Sequence, residues 1–571
     1  MNTKATGYRL KSVDVPAVWG RTLKSLVTLV ESNYTPTLVI QQLLKQGGID
    51  ALRNFTPETS PRMMPFHPGV KSPRKQDIEQ ARETFLSRYG EGLAAPDENH
   101  GYPPVTVADY AHAYRTGSTT PAEVAERLIK RLQSQSADIN AIINFNEQHI
   151  RLQAQESARR LKENATRSPL EGVPVAVKDE LDALPYATSV GTQIYGSDHS
   201  ASDDATVVAR LRDAGALIIG KANMQEIGIG VTGANPHFGV CRNPYDTDYH
   251  TGGSSSGSAA ATASGLCPIA IAADGGGSVR IPAAFCGQVG LKATWARISE
   301  HGAAPLCWSL AHIGPIAATV DDTALAYLLM AGPDEQDPWT QSQPPVHLHD
   351  YFNDDLHGLK VGVYHPWFQH ASEEIVDACQ NGLAALKAQG ALIKDAHINF
   401  LEEQRVAHVV SISTEMMNAV QAAYREDRTR FALDTRLNLG LSRHFTAHDY
   451  IQAQRVRQLA MNEFATAFKD VDVIATPTTG IVAPKINSKA LPDGESNITD
   501  LSAIMRFVTP ANLTGLPAIT VPCGYTQSGL PIGLQLMGRA WEEHTLLRLA
   551  RIVEGQFKRV RPMVYTDLLN D

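Results

Sequence analysis

Apolar positions along the chain fall into two regimes. Near the N-terminus, Leu23, Leu26, Val27 and Val30 recur at i, i+3, i+4 and i+7, and parts of Leu38 to Leu44 repeat that spacing. This predicts two amphipathic helices broken near Pro36. Pro57, Pro61, Pro65, Pro68 and Pro73 follow, a density incompatible with regular helix or central strand. From Val105 the character changes. Helix-like segments (Pro121–Gln133, His149–Asn164, Ala205–Ala214) alternate with short apolar runs (Val173–Val177, Ala216–Ile219, Pro268–Ala273), which predicts a layered α/β body. The polar, Pro-rich stretch Gly332–His349 separates this half from a second, where Lys360–Tyr364, Val471–Ala475, Ala518–Val521 and Leu534–Met537 read as strands around a long helical stretch at 402–468.

Composition narrows the class. The 571 residues are 43% hydrophobic and 19% charged, the balance of a folded globular chain. At about 150 residues per domain, length alone predicts three or four domains. Fifty-one Lys+Arg against 60 Asp+Glu leave a net charge of −9, without the basic footprint of a nucleic-acid binder. The six cysteines are scattered with no C-x-x-C pair, so neither a disulfide framework nor a zinc site is expected, and a reducing, cytoplasmic compartment fits. Met1-Asn2-Thr3-Lys4 opens no signal-peptide core, and no run approaches the ~18 apolar residues of a membrane span. Residues 1–103 read as a helical appendage that packs on the main body or a partner subunit, or lies on a membrane surface.

Two motif matches fail on chemistry. Gly215-Ala-Leu-Ile-Ile-Gly220-Lys221 has P-loop spacing, but its middle is an apolar strand and Ala222 stands where Ser/Thr should bind magnesium. Gly253-Ser-Ser255-Ser-Gly257 matches G-x-S-x-G, but a polar loop precedes it instead of an apolar strand. More informative is the grouping of glycines. Gly252 to Ser258 is seven consecutive Gly or Ser residues leading into a helix at Ala259, and Asp274-Gly275-Gly276-Gly277-Ser278 follows the strand Pro268–Ala273. Glycine permits close backbone approach, and converging N–H groups form an anion nest or oxyanion hole, so Ser278 is a candidate nucleophile beside its own donors. None of the 19 histidines is comparably marked as its base, with His250 the nearest. Lys178, closing the strand Val173–Val177, is the better candidate, because burial lowers a lysine from its ordinary pKa of about 10.4. Asp179 or Asp274 could instead simply pair with it.

Gly172-Val-Pro-Val-Ala-Val-Lys178-Asp179, Gly252-Gly-Ser254-Ser-Ser-Gly257 and Asp274-Gly-Gly-Gly-Ser278-Val-Arg280 together resemble the amidase signature family over residues 104–565, as do Asp472–Pro477 and Leu513–Pro522. The resemblance implies an α/β fold with a large mixed, twisted β-sheet flanked by helices on both faces. It implies one catalytic domain at 104–571 behind the 1–103 extension, and no cofactor or metal. It further implies a Ser–cis-Ser–Lys triad. Ser278 attacks the amide carbonyl, Ser254, after a cis peptide from Gly253, bridges to Lys178, and Lys178 takes the proton. Gly275, Gly276, Gly277 and Ser278 supply oxyanion-hole amides, with Ser255, Asp274 and Arg280 in support. Ala273 and Gly275 depart from the threonines many members carry; at 275 only a backbone donor is needed.

Lys178–Thr188, Asn235–Pro244 and the N-terminal extension look most like the plant-type fatty acid amide hydrolases. That branch implies hydrophobic amide substrates such as N-acylethanolamines, a homodimer, and peripheral membrane contact through residues 19–47. Met416, Met417, Val420 and Phe431 are candidates for lining an acyl tunnel, though core packing explains them equally. The alternatives are the amidase subunit of a glutamine-dependent tRNA amidotransferase, against which the extension argues, and a broad small-amide or aryl-amide amidase.

Overall fold

The computed structural model describes residues 7–70, 73–91, 101–195, 201–491 and 493–570. Met1–Lys4, and with them the reading of the N-terminus, lie outside the described residues. An 11-stranded sheet forms the centre. In chain order its strands are β1 (Ile142–Asn144), β2 (Pro174–Lys178), β3 (Leu217–Ala222), β4 (Ile269–Ala273), β5 (Val289–Lys292), β6 (Ile313–Ala317), β7 (Lys360–Val363), β8 (Leu392–Asp395), β9 (Val473–Pro477), β10 (Ala518–Tyr525) and β11 (Pro531–Gly538). Across the sheet they run β8-β7-β9-β11-β10-β5-β6-β4-β2-β3-β1.

The sheet is mixed and flanked by helices, as expected. β2 lies parallel to both β3 and β4, pairing Val175 with Ile218 and with Ile269. The middle of the sheet, from β4 through β6, β5, β10 and β11 to β9, is antiparallel. β2 and β4 are buried along their whole length, which is why they read as apolar runs and not as alternating patterns. β5 and β6 escape a sequence reading because they are short and interrupted (Val-Gly-Leu-Lys and Ile-Gly-Pro-Ile-Ala). A proline normally argues against a central strand, and only their neighbours make them strands. β5 pairs with β10, Leu291 opposite Ile519, so elements on both sides of Gly332–His349 share one sheet.

The N-terminal helices form where periodicity places them: α1 (Gly20–Glu31) and α2 (Thr37–Gln46), the latter entered from Pro36. Two short helices follow the glycine-rich runs, α3 (Ser256–Ala263) and α4 (Arg280–Phe285). The helical stretch at 402–468 divides into α5 (Leu401–Ala419), a short helix Gln421–Asp427, α6 (Leu433–Ser442) and α7 (Ala447–Ala467). Leu23, Val27, Val30, Ile40 and Leu44 pack against Val406, Val410, Leu437 and Val456 of α5–α7. Glu31 accepts from Arg436 at 2.6 Å and from the Tyr424 hydroxyl at 2.8 Å. Asp449 caps α7 with Thr446 and also binds Arg53 at 2.8 Å, joining a helix start to the N-terminal segment. The opposite side of α1–α2 stays open, with Trp19 and Leu29 partly exposed, Leu38 77% exposed and Tyr34 95% exposed. A further helix, Lys75–Glu91, has a mostly polar sequence with no clear stripe, yet Phe85 and Tyr89 enter the main core. Among the described residues no helix is long and apolar enough to cross a membrane.

Candidate active site

β2 and β4 are parallel neighbours, Val177 opposite Ile271, so their C-terminal ends open on the same edge of the sheet. β2 ends at Lys178 and β4 leads into Asp274–Ser278. The Gly-Ser run reaches that edge at the start of α3, and the Gly253–Ser254 peptide bond is cis. Lys178 Nζ donates to Ser254 Oγ at 3.0 Å and to the Ala273 carbonyl at 3.2 Å. Its third neighbour is Glu180 Oε2 at 2.7 Å. The expected partners, Asp179 and Asp274, are committed elsewhere. The chain turns after Lys178, Leu181 N–H donating to the Lys178 carbonyl at 3.1 Å, and this turn brings Glu180 back to the lysine. Asp179 instead accepts from the Gly191 amide at 3.0 Å and faces Lys221 at 3.6 Å. Ser255 Oγ donates to the same Ala273 carbonyl at 3.1 Å, tying the start of α3 to the end of β4.

The Asp274–Arg280 loop is built around one buried carboxylate. Asp274 pairs with Arg280 Nε at 3.0 Å and Nη2 at 3.1 Å, and accepts from the Gly277 amide at 2.5 Å, the Val279 amide at 3.1 Å and Asn512 Nδ2 at 2.9 Å. Burial alone would raise its pKa, but the Arg280 guanidinium, with Lys292 and Asn512, holds it well below the usual carboxylate range. Gly277 has φ +113°, and a Cβ there would come within 2.5 Å of Val508 Cγ2, so only glycine fits. Because its amide is bound to Asp274, Gly277 departs from the expected set of four oxyanion donors. The amides of Gly275, Gly276 and Ser278 donate to no protein group among the described residues, nor does Ser278 Oγ have a protein partner there.

The Amidase family model matches residues 123–547, most of the chain. The chain belongs to this family. It is an amidase signature hydrolase, 40% identical to a fatty acid amide hydrolase of Oryza sativa subsp. indica over 100% of this chain and 98% of that one. A glutamyl-tRNA(Gln) amidotransferase chain of Symbiobacterium thermophilum is 34% identical over 78% of this chain and 95% of its own. Among solved structures, the native peptide amidase from Stenotrophomonas maltophilia superposes with a TM-score of 0.70 at 27% identity, covering 80% of this chain and 98% of that one.

In this amidase a cleft opens over Lys178, Ser254, Gly275, Gly276 and Ser278, and its walls are largely apolar: Ile229, Val231, Leu306, Ile412, Met416, Leu501 and Met505. α5 supplies His408, Ile412 and Met416 at i, i+4 and i+8, one helical face. Of the four suggested tunnel residues only Met416 lines the cleft; Met417, Val420 and Phe431 pack behind it with Met224, Ile227 and Leu439. No motif in the sequence marks Glu180, His408 or Asn512 for this site. His250 is buried at the end of the strand Asp246–His250 and lines a neighbouring cavity of mixed polar and apolar walls. Both decoy motifs resolve as structure. Lys221 is buried on β3, donating to Leu181 and Thr188, and Gly257 lies where a Cβ would come within 2.2 Å of the Ala141 carbonyl.

Proposed function

We propose that this amidase hydrolyses the amides of long, hydrophobic carboxylic acids, such as N-acylethanolamines, through a Ser278–Ser254–Lys178 triad. The carrying observation is the buried 3.0 Å contact from Lys178 to Ser254 in the same cleft as Ser278 and three amides without a protein partner among the described residues. Ser278 Oγ forms a bond to the amide carbon, and its proton passes through Ser254 to Lys178, acting as the neutral amine. The carbonyl electron pair moves onto oxygen, which the Gly275, Gly276 and Ser278 amides receive. Collapse of this intermediate breaks the C–N bond, with Ser254 returning a proton to the departing amine. Water then attacks the acyl-enzyme by the same route, releasing the acid. Glu180 is placed to stabilise the Lys178 ammonium while it exists.

The apolar cleft wall and the likeness to the rice fatty acid amide hydrolase support a fatty acyl group. Residues 104–571 carry every group in this scheme, and 1–103 serve as a helical extension. Its exposed Trp19, Leu29, Tyr34 and Leu38 form the face we assign to peripheral membrane contact. Hydrolysis rates over an acyl series from acetyl to eicosanoyl amides test the substrate class. Specificity that rises with chain length is expected; a flat profile or a short-chain preference would overturn the lipid reading.

A further inference from the structure

We propose that His408 is a positioning residue for the oxyanion-binding loop: it holds the Gly275 carbonyl so that the Gly276 amide faces the reacting carbonyl of the substrate. The inference rests on Ser278 being the nucleophile. His408 is the polar member of an otherwise apolar helical face, one turn before Ile412, and is fully buried. Its Nε2 lies 2.8 Å from the Gly275 carbonyl oxygen. A carbonyl only accepts, so the ring carries its hydrogen on Nε2 and Nδ1 is bare, with no partner among the described residues. Burial pushes its pKa down to about 4, against the pull of the Gly275 carbonyl and Asp274, so the ring is neutral near pH 7.

The consequence for catalysis comes from peptide planarity. In a trans peptide the C=O of one residue and the N–H of the next point in opposite directions. Tethering the Gly275 carbonyl to His408 therefore fixes where the Gly276 N–H points. Sterics reinforce the tether: a Cβ on Gly276 would lie 2.8 Å from His408 Cε1, so the ring sits flush against the loop. Asp274 performs the complementary task from the other side, engaging the Gly277 and Val279 amides. Between them, carboxylate and imidazole hold the loop's outward groups and leave the Gly275, Gly276 and Ser278 amides for an oxyanion. A core histidine that merely fills space would leave transition-state binding unchanged when replaced by a residue that packs equally well.

The test compares His408→Leu, which removes the donor, with His408→Gln, whose side-chain N–H reaches the same carbonyl. Each is measured with a long-chain amide and with a long-chain trifluoromethyl ketone. Ser278 Oγ adds to the ketone carbon, the carbonyl pair moves onto oxygen, and the serine proton passes through Ser254 to Lys178, leaving a hemiketal oxyanion. Loss of aim at one donor should lower kcat by about 10–100-fold in His408→Leu, with KM within about 2-fold and ketone affinity reduced in parallel with kcat. His408→Gln should stay within about 5-fold of wild type in both readouts. Should His408→Leu fail to fold, His408→Asn, whose amide falls short of Gly275, takes its place with the same expected loss. Unchanged kcat and ketone affinity without the donor, or equal losses in the donor-retaining and donor-lacking variants, would overturn the proposal. A ketone adduct that survives Ser278→Ala would instead overturn the nucleophile assignment on which it rests.

Discussion

Lys178 Nζ and Glu180 Oε2 sit 2.7 Å apart with both side chains buried, and the lysine's other two contacts are Ser254 and a backbone carbonyl. The lysine at the centre of the proposed proton relay thus has, two residues along the chain, the carboxylate that faces it once the proton arrives. Removing one member of a buried hydrogen-bonded pair leaves the other without its partner, at a cost of about 1–3 kcal/mol. Glu180→Ala and Lys178→Ala should each lower unfolding stability on that scale. The double variant should cost less than their sum by about 1–3 kcal/mol, measured by urea unfolding as a double-mutant cycle. Strict additivity would mean that the pair is not coupled.

The apolar cleft wall makes a steric prediction. Ile412 projects from α5 between His408 and Met416. Ile412→Trp should reduce kcat/KM for long-chain amides by about 10-fold or more while sparing short-chain ones, since the lost volume matters only to a long acyl group. Equal losses at every chain length would place the acyl group elsewhere.

Asp434 supplies a prediction for stability against pH. Burial, with the Glu226 carboxylate nearby, pushes its pKa up to about 7. A carboxyl whose folded pKa is raised binds its proton more tightly in the native state. The stability it contributes is therefore present in full below the unfolded value near pH 4 and is lost as pH rises through 7. Asp434→Asn should raise the Tm relative to wild type at pH 8 and have little effect at pH 4–5. Asp322, also pushed up to about 7, keeps part of the slope. A difference between variant and wild type that is independent of pH would refute this assignment.

The outer side of α1–α2 gives a binding prediction. Replacing Leu29, Tyr34 and Leu38 together by Ser should weaken cosedimentation with liposomes by about 10-fold or more while leaving amide hydrolysis in detergent unchanged, because their exposed positions contribute little to the fold. Undiminished liposome binding would rule out this face as the contact.

The parts of the site that are local in sequence are legible from the residues alone. Ser254 and Ser278 announce themselves through glycines that sit between apolar elements, and Lys178 through its place at the end of an apolar run. Glu180 lies beside the Lys178 motif, yet nothing in the sequence marks it as the lysine's partner, because the turn that folds it back is set by a backbone bond and not by residue type. His408 lies 133 residues from its carbonyl, on a helix whose neighbouring residues are apolar, so nothing local distinguishes it from a core histidine. Helical phase explains why Met416 reaches the cleft and Met417 does not. At the level of the fold, fully buried strands such as β2 and β4 are readable. β5 and β6 are not, because their strand character comes from the neighbours they pair with.

The central claim, that Ser278 is the nucleophile, is tested most directly by intact mass and peptide mapping after reaction with a long-chain fluorophosphonate. A single adduct on the peptide containing Ser278, absent in Ser278→Ala and slowed by Lys178→Ala and Ser254→Ala, is the predicted result. An adduct on another residue, or one that persists in Ser278→Ala, would contradict the account.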